Sequence, residues 1–178
     1  PLSMTMTVNA GSIPSTHWAQ DPKRGGGRII GEACHFIDLL QHIAGSPIAA
    51  VSAVSAAGGS TDTGDTMSIN ITLKDGSIGN INYLANGAKD FPKESLKVFG
   101  EQRVFDMNNF RVTRGYGSKS FKPIRTLNQD KGHANCMKHF IEHVSSGSSP
   151  AMSFAEIENV TRATFAAVTA AKEHRVVE

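Results

Sequence analysis

Met4, Met6 and Val8 alternate with Thr5 and Thr7, a period of two with β-branched partners that predicts a strand at the start of the chain. The stretch from Gly11 to Gly27 is rich in glycine, proline and polar residues and predicts a long loop. Loops of that length inside a compact domain are uncommon and tend to be functional. Ile29, Ile30, Ala33, Phe36, Ile37, Leu40 and Ile43 then recur at helical spacing, with Gly45 placed as a C-cap and Pro47 blocking continuation. Strand signals follow over 48–57, 66–73, 77–84, 95–99, 103–106 and 110–113. Asp75-Gly76 makes a hairpin of the second and third of these. The polar run from Gly115 to Ser120 reads as a loop. Two helices close the chain. One spans 130–144, with Cys136, Met137, Phe140, Ile141 and Val144 on its apolar side. The other starts at Ser153, which forms a capping box with Glu156 and leads a core stripe of Ile157, Val160, Thr164, Phe165 and Val168.

This order predicts one α+β domain, an antiparallel meander with helices covering one sheet face. It is not a doubly wound nucleotide-binding domain. Gly25-Gly26-Gly27 precedes a helix, but no Gly-x-Gly-x-x-Gly follows an early strand. A chain that starts inside its first element also reads as a fragment.

Composition changes little in this picture. Of 178 residues, 39% are hydrophobic and 19% charged, as in ordinary soluble domains. The formal net charge of +2 is slight and its basic residues are scattered, which argues against nucleic acid. No run is long and apolar enough to span a bilayer, and the start lacks the basic region of a signal peptide. Cys34 and Cys136 are too isolated for a disulfide framework and read as buried free thiols of a cytoplasmic protein.

The segment from Gly25 to Asp38 is richest in candidate chemistry. Three glycines allow close backbone approach, and His35 is a residue type suited to proton transfer near neutrality. Gly31 lies one helical turn before His35 and leaves room beside the ring, while Glu32 and Asp38 are acids in the same segment. His35 taken alone is more often a structural histidine than a catalytic one, Glu32 can as well point to solvent or cap the helix start, and Asp38 can orient a ring nitrogen or equally cap or pair with a basic side chain. In the long loop, His17 and Trp18 are either a wall for a sugar ring or a plug holding the loop down. Among His133, His139 and His143 the last two are four apart, an incomplete ligand set that reads as a solvated face rather than a metal site. The serines at 145, 146, 148 and 149 have no nucleophile-elbow context.

From Gly25 to Leu40 the sequence resembles the signature helix of the Gfo/Idh/MocA family, the glucose–fructose oxidoreductase and inositol dehydrogenase relatives. Val8-Asn9-Ala10-Gly11, Ile13-Pro14 and His17-Trp18 are similar to the strand and loop before that helix. Asp130-Lys131-Gly132-His133 and the segment from Ser153 to Thr164 are similar to its late helices. The resemblance implies an open, largely antiparallel sheet with helices on one face, the C-terminal, dihydrodipicolinate-reductase-like domain of that family. It implies a preceding Rossmann domain, absent here, that binds NAD or NADP. It implies a parent enzyme moving hydride to or from a sugar or polyol, with His35 as general acid or base. Asn9, His17, Trp18, Glu32 and Asp38 are the expected substrate-side residues and Gly26 and Gly27 the expected approach to the cofactor, and the resemblance implies a sheet face that joins copies into an oligomer. Many relatives carry an aspartate or asparagine where this chain has Gly31. The chain alone is expected to be inactive. The alternatives are a non-catalytic sugar-binding or oligomerisation module of the same fold and, more remotely, a metal-dependent hydrolase.

Overall fold

The computed structural model describes residues 1–56 and 64–178. Ala57, the last residue of the predicted 48–57 strand, lies outside them. Among the described residues an open sheet holds β1 (Ser3–Asn9), β2 (Ile48–Ser55), β3 (Met67–Leu73), β4 (Ile78–Leu84), β5 (Glu94–Gly100), β6 (Arg103–Asn108), β7 (Val112–Tyr116) and β8 (Ile124–Arg125). The helices are α1 (Cys34–Ala44), α2 (His133–Ser146) and α3 (Phe154–Glu173). This is the expected α+β fold.

The meander is interrupted once. The spatial order is β2-β3-β4-β1-β5-β6-β7-β8, so the first strand fills the middle, parallel to β4 and antiparallel to β5. Local hairpin signals show which neighbours in sequence pair. They carry no information about a strand inserted from far away.

β1 obeys its alternation. Met4, Met6 and Val8 are buried under the helices while Thr5 points the other way. Ile69, Ile71, Ile81 and Tyr83 extend the same layer across β3 and β4. Against it α1 sets Ile37 and Leu40. Gly45 closes α1 in the left-handed region (φ 64°), its N–H donating to the Gln41 and His42 carbonyls. α3 begins with the capping box: Ser153 Oγ accepts from the Glu156 amide, and Glu156 Oε2 accepts from the Ser153 amide. Its buried side is Val160, Ala163, Thr164, Ala167 and Ala170. Ile157 and Phe165, assigned to that stripe from the pattern, are instead exposed. Small alanines win the sheet-facing positions because they let the helix lie close to β2.

Three other expectations are corrected. α2 buries none of its residues, and its apolar side of Met137, Phe140, Ile141 and Val144 is exposed, as is Cys136. The seventh strand runs through Gly115 and Tyr116, where the pattern predicts a loop. Phe110 sits before it in a turn with φ 49°.

α1 rests on the sheet at Gly79, where a Cβ would stand 2.8 Å from both Leu40 Cδ1 and Ile71 Cγ1. Gly79→Ala should therefore destabilise the domain by about 1–3 kcal/mol through overpacking. A lowered urea midpoint checks this, and an unchanged midpoint would show that α1 yields freely.

Candidate functional site

The site forms where β1 ends, β5 begins and α1 starts. Its base is a clamp around Arg28, which is 3% exposed. The Arg28 guanidinium donates through Nε and Nη2 to the two Glu32 carboxylate oxygens (2.9 and 3.2 Å). It also donates through Nη1 to the Gly11 carbonyl (2.6 Å) and through Nη2 to that of Ala10 (3.2 Å). It lies over the Tyr83 ring at 5.3 Å, and the Tyr83 hydroxyl donates to Glu32 Oε2 at 2.6 Å. The chain leaving β1 is thus tied to the turn that enters α1. That turn, Ile29–Ala33, is a π-helix rather than an α-helix, a widening often met at functional sites.

Burial disfavours the charged form of Glu32, but the hydrogen bonds from Arg28 and Tyr83 outweigh it and hold the carboxyl below its ordinary range. Burial first, and then the bond to Glu32, push the Tyr83 hydroxyl far above the ordinary phenol range. Glu32 is therefore a fixed carboxylate rather than a group free to move protons.

One turn further, His35 is exposed and lines a cleft of about 470 Å³ with Phe36, Asp38, Leu39 and His42 of α1, Glu94, Phe110, Lys131 and His133. Among the described residues no side-chain hydrogen bond holds its ring. Asp38 is half-buried. Burial pushes its carboxyl up, the His42 and His35 imidazoles partly offset this, and Glu156 adds to the rise. Gly31 is exposed, with nothing within 4 Å of where a Cβ would be among the described residues.

The other sequence candidates stand apart from this cleft. Asn9 is buried and donates through Nδ2 to the Ala88 and Phe91 carbonyls (2.7 and 3.3 Å), and its Oδ1 has no partner among the described residues. His17 and Trp18 sit together on the loop, rings 5.8 Å apart, with Trp18 exposed. His17 Nδ1 accepts from the Ala19 amide as the cap of a 3-10 turn, Trp18–Gln20. The glycine run packs on that turn: a Cβ on Gly25 would meet Ala19 Cα at 2.5 Å. The Gly26 and Gly27 amides donate to the Asp21 and Ala19 carbonyls, so the close approach the glycines permit is to this chain's own backbone.

The structure thus brings His35 and Asp38 together and adds residues the pattern did not single out as site residues. His42 was legible in principle, seven residues beyond His35 on the same helical face. Lys131 and His133 lie in the segment similar to a late family helix. Glu94 opens a strand after Phe91-Pro92-Lys93 and carries no local signal. In the late helix, His139 faces Glu142 and His143 Nδ1 bonds Ser148 Oγ. Among the described residues no three side chains form a metal-binding group, and no helix is long and apolar enough to cross a membrane.

Comparison with known proteins adds the following. Residues 1–105 match the model of the GFO/IDH/MocA C-terminal domain. No curated protein matches. Among solved structures, the chain is similar to an oxidoreductase domain protein from Kribbella flavida (18% identity, TM-score 0.81, 99% of this chain and 57% of that one). It is similar to aldose-aldose oxidoreductase from Caulobacter crescentus complexed with glycerol (16%, 0.79, 99% and 55%). It is also similar to a levoglucosan dehydrogenase in complex with NADH (19%, 0.78, 99% and 57%). The chain spans little more than half the length of these structures.

Proposed function

The chain belongs to the Gfo/Idh/MocA family, and on that ground we propose that it is the substrate side of an NAD(P)-dependent oxidoreductase acting on a hydroxyl or carbonyl of a sugar, sugar derivative or polyol. The observation that carries this reading is the His35 ring, exposed and unbonded at the wall of a cleft large enough for a small ligand. A hydroxyl seated there loses its proton to an imidazole nitrogen as its carbon gives up a hydride, and in the reverse direction His35 returns the proton. The nicotinamide supplies the hydride acceptor or donor and is held by a separate, preceding Rossmann domain, since the amides of Gly26 and Gly27 are already committed. The exposed apolar side of α2 is the seat of that domain. An isolated helix of 14 residues is marginal in water and needs a partner for such a stripe. The uncovered sheet face is available to further copies of the chain. The two free thiols fit the cytoplasm.

Full-length protein should show sugar-dependent reduction of NAD or NADP, followed by absorbance, while the isolated chain shows none. Turnover by the isolated chain would overturn the division of labour. One feature favours the second reading, a binding or oligomerisation module: Gly31 brings no side chain to the imidazole, and Glu32 beside it is locked to Arg28 and Tyr83. Full turnover in a His35 variant would decide for that reading.

A further inference from the structure

We infer that the His35 cleft holds an anion subsite centred on the Lys131 ammonium, so that the favoured substrate is a sugar or polyol bearing a carboxylate or phosphate. The inference rests on the reading of this cleft as the substrate site and narrows the class of substrate.

Glu94, the first residue of β5, is 1% exposed. Lys131 Nζ lies 2.6 Å from its Oε1. The pair is asymmetric. The Glu94 side chain is 2% exposed and that of Lys131 is 30% exposed, so the carboxylate is inside and the ammonium is at the cleft wall. Phe110, 5.5 Å below the ammonium, supports the lysine from one side. An ammonium has three donors. Among the described residues Glu94 is the acceptor it bonds, which leaves two for a ligand.

Of the other lining side chains, Asp38 is the one acid besides Glu94. Three imidazoles, from His35, His42 and His133, face the cleft with Lys131. Against them stand Glu94, engaged by Lys131 and by Gln129 Nε2 at 3.5 Å, and the half-buried Asp38. His133 opens α2, whose N-cap Gly132 provides no side-chain acceptor, so the first-turn amides add to the positive potential. A neutral sugar would leave the ammonium's free donors to water. An anionic substituent would satisfy them with charge-assisted bonds and fix which carbon faces His35.

The test is calorimetric binding of glucose, glucuronate and glucose 6-phosphate to the full-length protein. At least one charged sugar should bind roughly tenfold or more tightly than glucose, and which one does separates carboxylate from phosphate. Lys131→Met alone would strand the Glu94 carboxylate, so the decisive variant is Glu94→Gln with Lys131→Met, a neutral pair of similar size. It should remain folded by circular dichroism and lose the preference, while Lys131→Arg keeps it. Equal affinities for the three sugars, absent binding included, overturn the subsite, as does a preference that survives in the neutral pair. His35→Gln should leave the charge preference intact while removing turnover. A failure of the proton-transfer reading thus appears in turnover and a failure of the anion subsite in affinity.

Discussion

Replacing His35 by glutamine in the full-length protein is expected to lower kcat by about 10²–10⁴-fold, the usual contribution of a positioned acid or base, with little change in substrate affinity. The structure makes this a clean experiment. The ring is exposed, and no side-chain hydrogen bond among the described residues depends on it, so its loss should cost about 0.5 kcal/mol of stability or less. A fall in kcat at unchanged melting temperature therefore reads as lost chemistry rather than lost fold. A rise in KM with kcat intact would make His35 a binding residue only, and unchanged kinetics would leave the module reading in possession of the cleft.

The second large effect is expected at Arg28, which never touches the cleft. Arg28→Ala should destabilise the domain by about 2–4 kcal/mol, because one guanidinium satisfies the carbonyls of Ala10 and Gly11 and both oxygens of Glu32. Part of the loss would be recovered as Glu32, itself half-exposed, takes up water. Turnover should fall as well, since the clamp sets where α1 begins and hence where His35 stands. Arg28→Lys should rescue little, as a single ammonium cannot reproduce a fork that bonds a carboxylate on one side and two carbonyls on the other. Chemical denaturation of the variants checks the stability change. A midpoint equal to wild type would mean that the loop and the helix are held by something else.

Much of this architecture was legible from residue pattern because its causes are local. The alternation in β1, the Asp75-Gly76 hairpin, the Gly45 cap and the Ser153–Glu156 capping box each depend on residues within a few positions of one another. The insertion of β1 between β4 and β5 depends on pairing across 75 to 96 residues, which no window of sequence displays. α2 shows the converse failure. Its stripe is a true helical periodicity, but periodicity shows that a face seeks a partner without showing that the partner belongs to the same folding unit.

The site divides in the same way. His35 and Asp38 fall in one glycine-led helical segment and were visible there. Glu32 was visible as an acid, but its commitment to Arg28 and Tyr83 needs the π-turn and a residue 51 positions away. Asn9 donates to the Ala88 and Phe91 carbonyls, His17 caps the turn that Trp18 begins, and Gly25 packs on that turn, contacts that join positions no local pattern links. Glu94 and Lys131 meet only in three dimensions. Neither carries a local signal, and only their meeting at 2.6 Å sets the Lys131 ammonium over a buried carboxylate at the cleft wall.

The role of the His35 imidazole can be probed without relying on a rate decrease. In full-length His35→Ala, the vacated space opens directly on the cleft, and added imidazole can occupy it. Turnover should climb with imidazole concentration and saturate, while the wild-type rate stays flat. A variant whose rate does not respond to imidazole at any concentration would contradict proton transfer at this position.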